Sequence, residues 1–308
     1  MTRTQLRAYA TVVRRGSVKA AAAELAVSEA AVSLNVAQLR KELGDQLFTR
    51  TSSGLAFTPG GLRLARRAVE LLGLQEKTVR EVRQAGSGPR LLRLATSTLF
   101  SEYAAPGLIS TFTERARDLE VELSVFRVGD FENLLLSRTI DAAIGPSVIA
   151  APPSLEIRHF LNYEMVVVAA PGPPMTRASV GLGTLRQQRW LLGPSANEPS
   201  GVVTRMLQRL RVPEENQRIF HSHLAAVEEA KRGRGLALAP SFVLSRDLAR
   251  HELVRVDGPH VSAQGSWTVW TPTGSMRSEI AAELARYVAS PHAMRAMVRG
   301  RGVSVERF

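Results

Sequence analysis

The chain has 308 residues, of which 44% are hydrophobic and 22% charged, a composition typical of a folded protein with more than one domain. It contains no cysteine, which excludes disulfides, thiolate nucleophiles and cysteine-ligated metals. The net charge of +12 is uneven, because residues 1–90 hold 15 Lys and Arg against seven Asp and Glu and residues 91–290 are close to neutral. This distribution predicts a polyanion-binding N-terminal part. With no signal-peptide core and no run of about 18 apolar residues, we expect a cytoplasmic protein with no membrane partner.

Residues 1–58 are predicted to begin with a helix-turn-helix. A first helix is indicated by four apolar residues on one face, which are Leu6, Tyr9, Ala10 and Val13. Gly16 is suited to end it, and Ser17 is suited to cap a second helix over 18–26. Ser28 is suited to cap a third helix that runs to about residue 43. Two short helices joined by a tight turn, the second of them capped, are typical of a helix-turn-helix.

The segment LFTRTSSGLAFTPGG, residues 47–61, predicts a β-hairpin followed by a long helix. The hairpin turns near Gly54, and Thr58 then provides an N-cap with a proline at the first helical position. A hairpin beside a helix-turn-helix is a wing. Arg50 and Thr51 in this wing, with Lys19 at the start of the second helix, are predicted to contact DNA phosphates.

The pattern GS…AAAAELAVSEAAVS…L..ELG..LFTRT..G..FTPGG resembles the DNA-binding domain of the LysR-type transcriptional regulators, without a gap from Leu6 to Gly61. The resemblance implies a third helix in the major groove, with its N-terminal residues nearest the bases. By position these residues are Ser28, Glu29, Ala30 and Ser33.

The third helix departs from the family pattern in two places, the pair Glu29 and Ala30 and the single residue Leu34. The family usually has Gln and Pro where this chain has Glu29 and Ala30, and often a basic residue where it has Leu34. Gln reads adenine through two hydrogen bonds, whereas a carboxylate can only accept, for example from a cytosine amino group. Glu29 therefore either reads a base or neutralises the helix N-terminus. Both departures predict an operator different from the usual one.

Residues 59–90 are predicted to form a linker helix and a hinge. The helical stripe consists of Leu64, Ala68, Leu71, Gln75, Thr78 and Val82. A helix of about 26 residues spans about 39 Å, and such an isolated stripe needs a partner. In the family this helix forms the dimer, which the resemblance implies here; packing on its own chain is the alternative. Residues 85–89 are predicted to be a flexible hinge.

Residues 91–290 alternate strand-like and helix-like segments, which predicts an α/β domain with parallel sheets. Strands are predicted over 91–96, 120–126, 141–144, 164–170, 218–221, 235–239 and 267–271, and helices over about 100–117, 131–138, 201–210, 224–232 and 275–289. The phrases IDAAIGP (140–146) and GRGLALAP (233–240) resemble the family's periplasmic-binding-protein-like sensor. That resemblance implies two lobes with a ligand in the cleft. We place lobe one at 91–163 with 268–290, and lobe two at 164–267.

Ligands of open α/β sheets bind at the carboxyl ends of strands, beside helix N-termini. The first such end carries Ser97 and Thr98, whose hydroxyls and nearby backbone amides suit a carboxylate or another anion. Family effector contacts begin at the same position, so the resemblance implies this role for both residues; capping of the next helix is the alternative. Four further candidates satisfy the same rule, and these are Gly129, Ser195, Ser200 and Ser222.

The sequence holds no pattern of an enzyme. His221 and His223 would share one face of a predicted strand, but no carboxylate stands at metal-ligand spacing, and nothing resembles a nucleophile–base pair or a P-loop.

We therefore predict a LysR-type regulator without a cofactor or metal. Its expected partners are double-stranded operator DNA, a small-molecule effector such as a carboxylate, and further copies of itself as a dimer or tetramer. An enzyme or a solute-binding protein on the same fold is the alternative, and the basic segment 291–308 is predicted to be disordered surface.

Overall fold

The computed structural model describes residues 1–51, 54–84, 89–115, 118–148, 151–199 and 201–299. Contacts divide the chain into two units, one made of residues 1–88 with 133–139 and the other of residues 89–132 with 140–308. Most of the predicted hinge, residues 85–88, lies outside the described residues.

The first unit begins with three helices, which start at side-chain caps. They are α1 (Arg3–Arg15), α2 (Val18–Leu25) and α3 (Glu29–Leu43). Ser17 and Ser28 accept hydrogen bonds from backbone N–H groups of α2 and α3, as predicted. Gly16 and Gly44 follow α1 and α3 with φ of +63° and +64°, a conformation that glycine adopts without strain. The helix-turn-helix prediction is confirmed.

A small core orients α3. Tyr9 is fully buried, and its ring stacks on that of Phe48 with centroids 6.3 Å apart. α3 buries Val32, Val36 and Leu39 in the same core. Because these residues share one side of α3, the opposite side of the helix is exposed.

The wing and a long helix complete this unit. β1 (Phe48–Thr51) and β2 (Gly54–Phe57) pair as an antiparallel hairpin. α4 (Pro59–Gln84) follows, and the Thr58 Oγ1 accepts from the Gly61 N–H at 2.8 Å as the predicted cap. Within the described residues, no single helix has the length and hydropathy needed to cross a bilayer, although the bent pair α2 and α3 passes that criterion together by length and composition.

The second unit is built on one mixed sheet in the order β4-β3-β5-β11-β6-β9-β7-β8, with β10 paired to β6. Its strands are β3 (Arg90–Thr96), β4 (Leu119–Val125), β5 (Ala142–Pro146), β6 (Leu155–Ala169), β7 (Trp190–Leu192), β8 (Gln217–Ile219), β9 (Leu236–Pro240), β10 (Val254–Arg255) and β11 (Ser262–Pro272). Parallel strands form both ends of the sheet. The long strands β6 and β11 cross its middle antiparallel to their neighbours, so the prediction of parallel sheets is wrong there.

Helices flank this sheet. They are α5 (Thr98–Tyr103), α6 (Ala105–Thr113), α8 (Leu182–Gln187), α9 (Val202–Leu210), α10 (His223–Lys231), α11 (Ser245–Ala249), α12 (Glu279–Tyr287) and α13 (Pro291–Val298). Between α6 and α8 the chain also forms α7 (Phe131–Leu136), most of which belongs to the first unit. The single helix predicted over 100–117 is divided, because Ala104 leaves the helical conformation at φ −127°. The strand predicted over 218–221 ends at Ile219, so His221 and His223 do not share a strand face.

The C-terminal segment is not the predicted disordered surface over 291–298. Ser290 caps α13 by accepting from the Ala293 N–H at 3.2 Å, and α13 buries Ala293 and Met297. α13 packs on α6 so closely that a Cβ on Gly107 would lie 2.1 Å from the Ala296 carbonyl oxygen. Burial of the apolar side of α13 therefore stabilises a helix in a segment whose basic composition had predicted disorder. Residues 300–308 lie outside the described residues.

Candidate DNA-binding surface and effector site

The predicted base-contacting residues lie at the exposed start of α3. Ser28 caps the helix, with its Oγ accepting from the Ala31 N–H at 3.1 Å. Glu29, Ala30 and Ser33 are exposed. The Glu29 carboxylate stands in the first turn, where the helix dipole stabilises a negative charge. This position is compatible with both roles predicted for Glu29.

The predicted phosphate-contacting residues are exposed as well. Lys19 lies on α2 and Arg50 on β1, while Thr51 donates from Oγ1 to the Gly54 carbonyl oxygen at 3.1 Å across the hairpin. Arg14 and Arg15 pair with Glu24, and their hydrogen bonds hold the pKa of that carboxyl below its usual range. Those two arginines are partners of a carboxylate within the unit, whereas Lys19 and Arg50 face solvent.

Asp45 joins the wing to the start of α4. Its Oδ1 accepts from the Leu47 N–H at 2.6 Å and from the Thr58 hydroxyl at 2.8 Å, and these hydrogen bonds lower the pKa of Asp45. The junction leaves no room for a side chain at Gly61, since a Cβ there would lie 2.0 Å from the Leu47 carbonyl oxygen. The wing is therefore held in a fixed position on α4.

In the second unit, buried hydroxyls without partners mark the carboxyl end of β3. Ser97 is only 1% exposed, and its Oγ makes no hydrogen bond to the following helix or to any other described residue. The neighbouring Thr96 Oγ1 is equally buried and unpaired within the described residues. Capping of α5 therefore does not explain why a serine stands at position 97. Burying each of these two hydroxyls without a hydrogen-bond partner destabilises the fold. Thr98 is half-buried at the first position of α5.

A buried indole lies on the same face of the sheet. Thr96 pairs with Ile144, which pairs with Val269, and Trp267 lies two residues from Val269 on β11. Trp267 is fully buried, and its Nε1 has no partner among the described residues. Its ring contacts Phe100 of α5 at 5.0 Å and Tyr163 of β6 at 4.5 Å between centroids. An indole donor and two hydroxyls thus remain unsatisfied around this end of the sheet.

Glu102 of α5 meets the start of α10. Its two carboxylate oxygens accept from the His223 N–H at 3.1 Å, the Leu224 N–H at 2.9 Å and the Ser222 hydroxyl at 3.0 Å. Burial opposes ionisation, but the hydrogen bonds from His223 and Leu224 outweigh it and hold the pKa of Glu102 below its usual range. Ser222, a predicted effector contact, is engaged by Glu102 and also caps α10.

His223 continues this contact to Ser195. Its Nδ1 lies 3.3 Å from the Glu102 Oε1, and its Nε2 lies 2.7 Å from the Ser195 Oγ. Since a carboxylate can only accept, Nδ1 donates to Glu102, and the Nε2 of a neutral ring would then accept from the Ser195 hydroxyl. The three residue types of a nucleophile–base arrangement are therefore in contact, which the sequence did not predict. Ser195 is, however, only 3% exposed, and its hydroxyl is engaged with His223.

Glu198 adds a carboxyl group near these side chains. It follows the short 3-10 helix Pro194–Asn197, and burial raises its pKa while nearby His223 lowers it. Glu198 also interacts electrostatically with Tyr163, whose pKa burial raises. Its carboxyl group makes no hydrogen bond or ion pair within the described part of the chain.

Of the other predicted effector contacts, Gly129 is exposed, with open space around its Cα, and Ser200 lies outside the described residues. Sequence reasoning missed Glu102, Glu198 and Trp267, and it weighed His223 only as a metal ligand. The position of His223 directly after the cap Ser222 was a usable signal, because it places a titratable group at the start of a helix. Glu102 gave no such signal, since its partners lie about 120 residues away.

Two family models match the chain. One, described as the LysR substrate binding domain, matches residues 85–292, and the other, described as a bacterial regulatory helix-turn-helix protein of the lysR family, matches residues 4–62. An uncharacterized HTH-type transcriptional regulator of Mycobacterium tuberculosis is 51% identical over 311 residues, covering 100% of this chain and 97% of the relative.

Solved structures share the fold. ArgP from Mycobacterium tuberculosis has a TM-score of 0.61 at 19% identity, covering 93% of this chain and 97% of its own. Full-length LysG from Corynebacterium glutamicum with bound effector Arg has a TM-score of 0.58 at 19% identity, covering 98% and 99%.

Proposed function

This chain belongs to the LysR family of transcriptional regulators, and from that premise we propose which of its surfaces bind DNA, effector and a second copy. The family consists of DNA-binding regulators with an effector-binding domain and not of enzymes. The buried Ser195–His223–Glu102 contact is accordingly a structural connection in this chain.

Operator DNA binds to the first unit. The exposed start of α3, with Ser28, Glu29, Ala30 and Ser33, enters the major groove. Lys19, Arg50 and Thr51 contact phosphates on either side of it. The excess of 15 Lys and Arg over seven Asp and Glu in residues 1–90 supports this assignment, because affinity for duplex DNA depends largely on phosphate neutralisation.

The effector binds in a cleft between two lobes, at the carboxyl end of β3. The observation that carries this proposal is the group of buried polar atoms without partners, Thr96 Oγ1, Ser97 Oγ and Trp267 Nε1. Buried hydroxyl and indole groups are normally hydrogen-bonded, so unmet ones beside a strand end indicate a ligand. Thr98 begins α5, Gly129 follows β4 and Ser195 follows β7, so each comes after the end of a strand as well. Ser222 is retained only as a residue that a ligand could release from Glu102.

The effector carries two kinds of polar group. A carboxylate or another acceptor suits the donors Ser97 and Trp267. The dipole argument for an anion is weaker than the sequence suggested, because α5 has only six residues. The unpaired, partly buried Glu198 favours a cationic or hydrogen-bond-donating group at the other end of the ligand. An amino acid combines both groups in one small molecule.

Two copies associate through α4. The outward side of this helix exposes Leu71 and Val82, the latter by 70%. Such an apolar stripe on a single chain favours pairing with another helix. We propose a dimer through this surface, a tetramer through further contacts, and action in the cytoplasm.

Thermal unfolding of the full chain tests the effector site. The probes are amino acids and the matching α-hydroxy acids that lack only the amino group. A bound probe should raise the unfolding temperature, and Ser97→Ala should abolish that rise while effector-free DNA binding is unchanged. Ser110→Ala is the matched control, because Ser110 is exposed on α6. If the rise survives Ser97→Ala, the ligand binds elsewhere.

A further inference from the structure

The outward face of α3 carries few polar groups before its last turn. Ala30, Ser33, Leu34 and Ala37 follow the spacing i, i+3, i+4, i+7, and all four are exposed. Leu34 is 60% exposed, although it lies in the middle of a helix that buries three apolar residues on its other side. Packing within the described chain therefore gives no reason for a leucine at this position.

The helix also lacks the donors that commonly read purines. No Arg or Lys occurs between Glu29 and Leu39. The Asn35 amide donates to the Ala31 carbonyl oxygen at 2.8 Å, and the Gln38 oxygen accepts from Gln5 at 2.8 Å. Arg40 donates to the Phe48 carbonyl oxygen at 2.7 Å and lies over the Phe48 ring. Asn35, Gln38 and Arg40, which could bind guanine or adenine bidentately, are thus engaged within the first unit, and the remaining basic residue of α3, Lys41, lies in its last turn.

We infer that Leu34, with Ala30 one turn before it, recognises thymine methyl groups in the major groove. The thymine C5-methyl is the one apolar feature that a base pair presents there, and a leucine or alanine side chain can contact it without any donor. Burial of Leu34 against a methyl group removes apolar surface of both partners from water. The inference rests on the proposed binding of DNA by α3 and adds which base feature this chain reads.

Deoxyuridine tests this inference, because it differs from thymidine only by the missing methyl group. Duplexes that bind the full-length protein are first selected from a random pool. Each thymine of a selected duplex is then replaced by deoxyuridine in turn. At one or two positions of each half-site, the loss of the methyl should weaken binding about fourfold, as expected for one buried methyl group. At the position that Leu34 contacts, Leu34→Ala should bind the two duplexes equally, because the shorter side chain at 34 no longer buries the methyl group; a position contacted by Ala30 should stay sensitive.

Leu43→Ala is the matched control. Leu43 is 44% exposed on the same helix, and its position nine residues after Leu34 puts it on the opposite side. This variant should keep the full sensitivity to deoxyuridine. Leu34→Arg should move the preference at the sensitive position toward guanine.

Sensitivity that is unchanged in Leu34→Ala, or absent in the wild type, would overturn the inference while leaving DNA binding by α3 intact. A Leu34→Ala protein that sediments as a smaller species, with an unaltered deoxyuridine profile, would assign Leu34 to a contact between copies instead. Failure of the wild type to enrich any duplex would overturn the proposed function, and this inference with it.

Discussion

Glu102 brings one negative charge to a point where donors converge. The two backbone N–H groups, the Ser222 hydroxyl and the His223 ring all face its carboxylate. Hydrogen bonds to an ionised group are stronger than those between neutral groups. This one residue therefore ties α5 to α10.

Glu102→Gln should lower the free energy of unfolding by about 2 kcal/mol at pH 7, because an amide N–H then faces backbone N–H groups. The pKa of Glu102 lies below the ordinary value of 4.5. The wild type therefore keeps its advantage above about pH 4.5 and loses it as the pH falls through the lowered pKa. Urea unfolding of the full chain at pH 7 and pH 4 measures both effects. Glu114→Gln, which affects an exposed glutamate directly after α6, should have little effect at either pH; equal losses in the two variants would contradict the role of Glu102.

Single residues differ in how far the sequence could identify them. Ser97 was predicted because a strand end followed by a helix is a local pattern. Glu102, His223 and Ser195 come together only through the sheet order, which joins segments 28 to 121 residues apart. Glu198 could not be distinguished from a solvated loop residue, since burial depends on that same arrangement.

At the scale of elements, the junction of wing and α4 depends on close packing. The backbone of α4 at Gly61 lies against the Leu47 carbonyl, and the Tyr9 hydroxyl donates to that same carbonyl at 3.4 Å. A displaced junction would move Arg50, which the hairpin carries.

Gly61→Ala should destabilise the first unit by about 2 kcal/mol, since the added methyl group overlaps a backbone oxygen that cannot move freely. DNA affinity should fall as well. Gly183→Ala, in α8 with open space around it, should instead leave stability unchanged or raise it by up to about 1 kcal/mol. Chemical unfolding of both variants decides the matter, and a stable Gly61→Ala protein would show that the junction is loose.

The elements of the first unit were predicted almost completely, because caps and glycines define helix ends locally. The second unit was predicted less well. β7 has only three residues, too few for a pattern, and β6 begins nine residues before the predicted strand. The break at Ala104 and the start of α13 had local signals that the prediction did not use, since Pro106 lies in the first turn of α6 and Ser290 caps α13 ahead of Pro291.

At the scale of the whole molecule, the proposed contact between copies through α4 can be tested by substitution. Leu71→Arg should place a charge in the contact between two copies, at a cost of several kcal/mol. Sedimentation should then show smaller species, and operator binding should weaken. Leu62→Arg is the comparison, because Leu62 is exposed nine residues earlier, on the opposite side of α4. If Leu71→Arg assembles as the wild type does, the stripe is not the contact between copies.

The contact of Glu102 with α10 sets how strongly a free anion must bind before it can displace the Glu102 carboxylate. A free anion that approaches these donors must displace a carboxylate of the same chain. Such a tethered competitor has an effective concentration on the order of millimolar or above, whatever the amount of protein in the cell. Background carboxylates below that level leave the contact intact. Glu102 is thus an internal ligand of these donors. An added molecule must bind them more strongly than Glu102 does before the start of α10 can be released from α5.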